Sequence, residues 1–222
     1  MTAVEPISVQ DAKAFIRQQT TLVAPPLTPE IRLHLATEIT PIWEATEETL
    51  AKRNIPPPYW AFAWPGGQAL TRHLMDHPDW VRGRRVLDFA AGSGLSAIGA
   101  AKAGAELVEA AEIDAVAIAA IELNAAANAA DVRVVMDDLI GQEGRWDVVL
   151  AGDVCYEKPM AERVIAWFRQ LAGRGVTILM GDPGRAYLPG SGLVEVARYR
   201  VPTSLELEDR TERETIVWRL MP

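Results

Sequence analysis

Residues 86–97, VLDFAAGSGLSA, decide how the rest of the chain is read. The apolar run from Val86 to Phe89 has the texture of a buried strand. Gly92 and Gly94 allow a turn in which backbone comes close to a ligand, and Leu95-Ser96-Ala97 open a helix. A strand that passes through a glycine turn into a helix offers backbone N–H groups and the positive end of the helix dipole to whatever lies above it. Asp88 is the discordant residue. It places a carboxylate inside the apolar run, next to where a dinucleotide sets its pyrophosphate.

The same rhythm repeats outward from this unit. Strands are predicted at 85–90, 106–113, 132–136, 146–152, 175–181, 192–201 and 215–220. Among the first five lie the helical stretches SAIGAAKAG, AVAIAAIELNAAANAA and MAERVIAWFRQLA. Such alternation predicts a parallel sheet with helices on both faces. The last two strands have no helix of length between them, so they should pair as an antiparallel hairpin at one edge. The expected class is therefore α/β: a Rossmann-like, doubly wound seven-stranded sheet of five parallel strands plus an antiparallel edge hairpin. Residues 1–60 differ in texture and are expected to form an N-terminal helical extension, either a substrate-recognition element or a cofactor lid, ahead of the domain at 61–222. In the extension, Ser8 is placed to cap a first helix, and Pro25, Pro26 and Pro29 break the chain before a second. WEATEETLAKRN (43–54) reads as a third, acidic at its start and basic at its end, before the extended Pro56-Pro57-Pro58.

With 22 Lys and Arg against 30 Asp and Glu, the 222-residue chain carries a formal charge of -8, which argues against nucleic acid as a partner. The single cysteine, Cys155, cannot form an internal disulfide and points to a reducing compartment. No apolar run is long enough to span a bilayer, and MTAVEPISVQDAKAF lacks the pattern of a secretory leader. A cytoplasmic protein without a membrane partner is expected.

Gly92, Gly94 and Ala97 satisfy the dinucleotide pattern, and Glu112 stands twenty residues after Gly92 at the end of the second strand. By pattern alone a nicotinamide or flavin enzyme is as good a reading as any. Asp88 separates the cofactors: a carboxylate facing two phosphates in a low-dielectric cleft costs on the order of several kcal/mol. S-adenosylmethionine has no phosphate and carries a sulfonium and an α-ammonium, both of which a carboxylate favours. Asp88 can equally bond the backbone amides of the glycine loop, and the two roles are compatible. At the end of the third strand, Asp137 or Asp138 can receive the adenine amino group, or can cap a turn. Asp137 is the better placed of the two.

Open parallel sheets bind ligands beyond the carboxyl ends of their strands, where strand order reverses, which makes the loop after the fourth strand the catalytic candidate. It reads GDVCYEKP, with Asp153, Tyr156 and Glu157. It lacks the two prolines common in enzymes that methylate adenine or glutamine amides. For transfer to an amine, Asp153 is the candidate for orienting the acceptor and Tyr156 for packing on its alkyl chain or cationic head; an Asx-turn with a packed tyrosine is the plainer alternative. Cys155 has no histidine nearby in sequence to activate it and reads as a packed thiol. In YWAFAWPGGQAL (59–70), Trp64 is a candidate roof for the cofactor, while Trp60 and Phe62 suit a core role equally well. In GDPGRAYLPG (181–190), Asp182 and Arg185 flank a tight turn that either selects substrate or is simply salt-bridged. His73 and His77 share a helical face, but with no third ligand in evident spacing no metal site is expected.

The segments WPGGQAL, VLDFAAGSG, EIDAVAIAAIELNAAAN, WDVVLAGDVCYE, GDPGR and TIVWRLMP together resemble the seven-strand lysine methyltransferases. They are most similar to the branch that methylates the β-subunit of electron transfer flavoprotein. The resemblance spans about residues 60–222. It implies S-adenosylmethionine as cofactor, a protein lysine as acceptor and the flavoprotein β-subunit as partner. By the match to the family's Asp-x-x-Tyr signature, it also implies Asp153 and Tyr156 at the acceptor site. Asp88, Gly92, Gly94, Glu112, Asp114, Asp137 and Trp64 then fall to the cofactor, and Glu157, Asp182 and Arg185 to the substrate. Two positions depart from the family. Ala90 stands where a glycine is usual, and Glu112 replaces an aspartate, so that Asp114 can share or take the ribose. Ribosomal protein lysines or a small amine as acceptor, or a non-catalytic binding module on the same fold, remain the other readings.

Overall fold

The computed structural model describes residues 8–36 and 57–222; the helix expected at 43–54 lies outside them. Its centre is a seven-stranded sheet built from β3 (Arg85–Phe89), β4 (Leu107–Glu112), β5 (Arg133–Met136), β6 (Val148–Gly152), β7 (Thr177–Asp182), β8 (Leu193–Pro202) and β9 (Glu212–Leu220). In space the order is β5-β4-β3-β6-β7-β9-β8. The strands β3 to β7 are parallel, and β9 runs antiparallel to both β7 and β8, as the expected edge hairpin requires.

The central strands are largely apolar because both their faces are covered, as in Val148–Ala151, where every residue is buried; Asp88 in β3 and Glu109 in β4 interrupt the pattern. Period two then sorts the side chains. Leu87, Phe89, Val149 and Ile178 point to α5 (Lys158–Gly173), meeting Val164, Phe168 and Leu171. Val86, Val148, Leu150 and Leu179 point the other way, to α2 (Pro65–Asp76), α3 (Leu95–Lys102) and α4 (Ala115–Ala127). Asp88 follows Val86 by two residues and so shares this second face, under α3.

The alanine-rich α4 is buried on two sides. Ile121 packs toward the sheet, while Val116, Ala120 and Leu123 pack against α1 (Val9–Gln19) with Trp60 and Phe62. A helix covered on two sides needs only a narrow polar stripe, which explains its composition. The Ser8 hydroxyl accepts from the Asp11 amide at 3.1 Å, the expected cap of α1.

The second helix expected after Pro29 is a strand instead. A short hairpin pairs β1 (Thr21–Val23) with β2 (Leu33–Leu35). Ile31, Leu33 and Leu35 are buried while Arg32 is exposed between them, so the alternation of period two, and not the helical period, governs this segment. Side chains from α4 act as the neighbour that β2 lacks on its other edge. The His34 amide donates to Asn124 Oδ1 at 2.7 Å, the Arg32 amide donates to Asn128 Oδ1 at 3.0 Å, and Asn128 Nδ2 donates to the Arg32 carbonyl at 2.6 Å. Asn124, fully buried, also donates through Nδ2 to the Ser93 carbonyl in the glycine turn at 2.9 Å.

The connection between β8 and β9 carries a short helix, α6 (Leu205–Glu208). β9 begins three residues earlier than hydropathy suggests, because Glu212, Arg213 and Glu214 pair across the hairpin with Pro202, Val201 and Arg200.

Candidate functional site

A cleft of about 650 Å³ opens at the carboxyl ends of the strands, where the order reverses between β3 and β6. Asp88, Gly92, Glu112, Asp114, Trp64, Asp153, Tyr156, Glu157 and Arg185 all border it, as do Tyr59, Trp60 and Ala90. The strand ends thus bring most of the sequence candidates to one place. Gly94, Asp137 and Asp182 do not line it.

At one end, Asp88 Oδ2 accepts from the Ala97 amide in the first turn of α3 at 2.9 Å, the backbone role anticipated for it. Burial pushes its carboxyl up to about 8, the Ala97 bond opposing the rise and Glu112 adding to it. The turn above is strained as well as tight. Ala90 has φ +53°, a left-handed conformation that costs a non-glycine residue about 1–2 kcal/mol. Gly94 has φ +76° and begins α3; a Cβ there meets Ile121 at 3.1 Å, so its smallness serves helix packing. Glu112 Oε2 accepts from the Gly92 amide at 3.1 Å and Oε1 from its own neighbour Ile113 at 2.8 Å, which fixes the carboxylate across the turn. Asp114 caps α4 by accepting from the Val116 amide at 2.9 Å, and burial raises its carboxyl to about 6.

The other end is a meeting of backbones. The first turn of α2 is laid directly on β6 and β7. A Cβ on Gly181 would lie 2.0 Å from the Gly66 carbonyl oxygen, and one on Gly152 would lie 2.8 Å from the Gly67 nitrogen. WPGG, AGD and GDPG are therefore three parts of one contact. Asp153 stands over it with φ +55°. Its Oδ2 accepts from the Gly66 and Gly67 amides at 2.6 and 3.3 Å, capping α2 from outside the helix. Its Oδ1 accepts from Arg185 Nε and Nη2 at 3.0 and 2.7 Å. These four bonds fill the lone-pair positions of one carboxylate. Burial raises the Asp153 carboxyl to about 6 in spite of the opposing Arg185 charge.

Arg185 also donates to Glu208 and lies over the Trp64 ring, 5.6 Å from its centroid. Burial works against its charge, yet the Asp153 and Glu208 carboxylates outweigh it and hold the guanidinium above its ordinary value. Trp64 Nε1 donates to the Tyr59 carbonyl at 2.8 Å, and the Tyr59 ring meets that of Tyr156 at 5.5 Å. Burial pushes the Tyr156 hydroxyl up to about 12, so it keeps its proton. Glu157 stands exposed at the rim.

The remaining candidates have local duties. Asp182 Oδ1 accepts from the Gly184 and Arg185 amides, both at 2.7 Å, folding the GDPGR turn without a side-chain salt bridge to Arg185. Its Oδ2 is buried without a hydrogen-bond partner. Asp137 accepts from Gln142 Nε2 at 3.3 Å, and Asp138 pairs with Arg163 at 3.1 Å, both at the surface. His73 is buried with Nδ1 3.2 Å from the Tyr199 hydroxyl; burial, then His77, lowers its pKa to about 4 and keeps it neutral. Burial raises the Cys155 thiol to about 12. Among the described residues no group of three or more His, Cys, Asp or Glu side chains is placed to hold a metal ion, and no helix is long and apolar enough to cross a membrane.

Sequence reasoning missed the amides of Gly66 and Gly67, Glu208 and Asn124. The paired glycines after Pro65 were a readable sign of close backbone approach. For Glu208, in the charged tract LELEDRTERE, there was none.

Known proteins share this fold and much of this sequence. The family model described as "Ribosomal protein L11 methyltransferase (PrmA)" matches residues 71–156. Proteins named "Electron transfer flavoprotein beta subunit lysine methyltransferase" are similar over almost the whole chain. The one from Xenopus laevis is 38% identical over 95% of this chain and 87% of its own length. That from Danio rerio is 38% identical over 96% and 84%, and that from Homo sapiens 34% over 96% and 83%. Among solved structures, magnesium protoporphyrin IX methyltransferase from Synechocystis with bound SAM superposes with a TM-score of 0.52 at 18% identity, covering 82% of this chain and 94% of that one. The 16S rRNA N2 G1207 methyltransferase of T. thermophilus gives 0.50 at 21% identity, over 72% and 44%. At such identities these two speak for the fold alone.

Proposed function

From the electron transfer flavoprotein β-subunit lysine methyltransferase family, to which this chain belongs, we infer an S-adenosylmethionine-dependent protein-lysine N-methyltransferase acting on that β-subunit. One observation in the cleft carries the cofactor reading. Its far end holds three carboxylates, those of Asp88, Glu112 and Asp114, and the one cationic side chain among its described lining residues, Arg185, is spent on Asp153 and Glu208. A phosphate group finds no free cationic side chain among the described lining residues, whereas a cationic, phosphate-free ligand fits.

S-adenosylmethionine, when bound, supplies an electrophilic methyl group on a cationic sulfur. In this reading Asp88 favours the α-ammonium, Glu112 and Asp114 take the ribose, and the Gly92 turn lets the backbone approach. Trp64, Tyr59 and Tyr156 form the aromatic wall along which a lysine side chain enters, and their ring faces suit its cationic head. Glu157 draws that head in from the rim. The Tyr156 hydroxyl is too weak an acid to be the base, so the amine gives its proton to water at the open mouth. Asp153 is a positioning residue: with its lone pairs taken, it orients the acceptor through the helix start and the Arg185 guanidinium that it holds. Asp182 contributes by folding the turn that presents Arg185. Pro57, Tyr59 and Trp60 bring residues of the N-terminal extension to the cleft, which supports its reading as recognition element or lid. A reducing cytoplasmic setting suits the lone buried Cys155 thiol.

Incubation of the purified enzyme with S-adenosylmethionine and the flavoprotein β-subunit should give methylated lysine peptides by mass spectrometry and an equal yield of S-adenosylhomocysteine. Methylation of ribosomal protein L11 but not of the β-subunit would move the substrate toward the family of the 71–156 match. Absence of any product with cofactor binding intact would leave a binding module.

Asp88 gives a pH-dependent test. With its carboxyl raised by burial to about 8, it is largely protonated at pH 7, and a bound ammonium must displace that proton. Calorimetry in buffers of different ionisation enthalpy should therefore find a net release of protons on cofactor binding at pH 7. Affinity should rise as pH approaches 8 from below. Asp88→Asn should abolish the release and weaken binding. Uptake or no release in the wild type refutes the assignment.

A further inference from the structure

Glu208 lies on α6, in the connection between β8 and β9, remote in sequence from every segment that forms the cleft. It is only 6% exposed. Its Oε1 accepts from Arg185 Nη2 at 2.5 Å, and its Oε2 accepts from Arg185 Nη1 at 3.3 Å and from Arg213 Nε at 2.8 Å. A guanidinium is a planar fork whose donors cannot turn independently. Asp153 takes the edge formed by Nε and Nη2, and Glu208 takes the edge formed by Nη1 and Nη2. Two carboxylates on adjacent edges fix the plane of the fork as well as its position, over the Trp64 ring. With Asp153 alone the fork is held along a single edge and can pivot, and the aromatic wall that leans on it can follow.

We propose that Glu208 is a positioning residue for methyl transfer, acting through Arg185 to hold the acceptor end of the cleft in register. The inference rests on the lysine-methylation reading above. The other role open to Glu208 is to anchor the hairpin through Arg213, and the two are separable because each uses a different partner.

The experiment begins with the wild-type enzyme, the flavoprotein β-subunit and S-adenosylmethionine. If no methyl is transferred, it is the function that fails. If transfer is seen, Glu208→Gln should lower kcat by about ten- to a hundred-fold, the scale of a small misplacement of reacting groups. The KM and calorimetric Kd for the cofactor should stay within about two-fold, since Glu208 touches none of the carboxylates at the cofactor end. In the NMR spectrum the Arg185 Nε–H, identified by its loss in Arg185→Lys, should exchange with solvent at least about ten-fold faster. Adding Glu208→Gln to Arg185→Lys should cost nothing further. Arg213→Met should lower the melting temperature and leave kcat within about two-fold. A Glu208→Gln enzyme with wild-type kcat, or with Arg185 exchange unchanged, overturns the proposal, as does a kcat loss reproduced by Arg213→Met. Should Glu208→Gln not fold, Glu208→Asp, which keeps the charge but shortens the reach, should show the same split between kcat and cofactor KM, and its absence has the same force.

Discussion

Asp153→Ala should bind S-adenosylmethionine with a Kd within about three-fold of wild type and transfer methyl at least about 100-fold more slowly. The substitution removes four hydrogen bonds at once: two that cap α2 and two that hold Arg185. None of them reaches the end of the cleft bordered by Asp88 and Glu112. Removing one member of a buried ion pair commonly costs about 3–5 kcal/mol, and the burial that already raises the Asp153 carboxyl moderates that loss. Asp153→Asn separates the effects. An asparagine oxygen can still accept from Gly66 and Gly67, and asparagine tolerates the positive φ, but its NH2 group meets the Arg185 fork donor to donor. It should keep the fold and still lose turnover. pH adds a check with a definite sign: protonation of Asp153, raised to about 6, weakens its bond to Arg185, so kcat should fall as pH drops through about 6. The asparagine variant should lack that limb. Single-turnover kinetics alongside calorimetry decide the matter, and an alanine variant with wild-type kcat would remove Asp153 from the acceptor end.

The largest loss of stability should come from a single methyl group. In Gly181→Ala the new Cβ falls 2.0 Å from the Gly66 carbonyl oxygen and 2.7 Å from its carbonyl carbon. Both are backbone, so no rotamer change relieves the clash; the start of α2 must lift from the sheet, taking the Gly66 amide away from Asp153. A loss of at least about 3 kcal/mol is expected, above the usual range for overpacking, and roughly a ten-degree fall in melting temperature for a chain of this size. Gly173→Ala is the matched control, since its Cβ meets nothing within 4 Å and it lies in α5, where alanine is favoured. It should be neutral or stabilising by up to about 1 kcal/mol. Thermal melts of the two variants side by side give the comparison; equal melting temperatures would mean that the backbone contact tolerates more than its geometry allows.

The sheet was legible because its signal is carried by burial, which leaves continuous apolar runs in Val148–Ala151 and its neighbours. The β1–β2 hairpin was not, since three proline residues suggested helix boundaries and the short alternation Ile31, Leu33, Leu35 went unweighed. In the site, position along a strand predicted which acids reach the cleft at Asp88, Glu112 and Asp153, because a parallel strand delivers its last residues to one edge. The prediction weakened one step beyond. Asp137 follows the end of β5 just as Asp153 follows β6, but the loop turns its side chain to Gln142 at the surface. Direction after a strand end is set by the loop, which a pattern does not specify. Glu208 was out of reach for a different reason: a buried carboxylate amid a charged surface tract looks the same in sequence as its exposed neighbours.

Asn124 joins the extension to the glycine turn, accepting from β2 with one atom of its amide and donating to Ser93 with the other. The consequence concerns how the protein opens. A fluctuation that frees β2 strips a partner from a fully buried amide group and uncovers Leu95, Ile98 and Ala125, so the hairpin and the turn should come apart as one cooperative unit. Residues 8–36 are then no detachable appendage, and a ligand that quiets the turn also slows the exchange of the Arg32 and His34 amides on the far side of the helix.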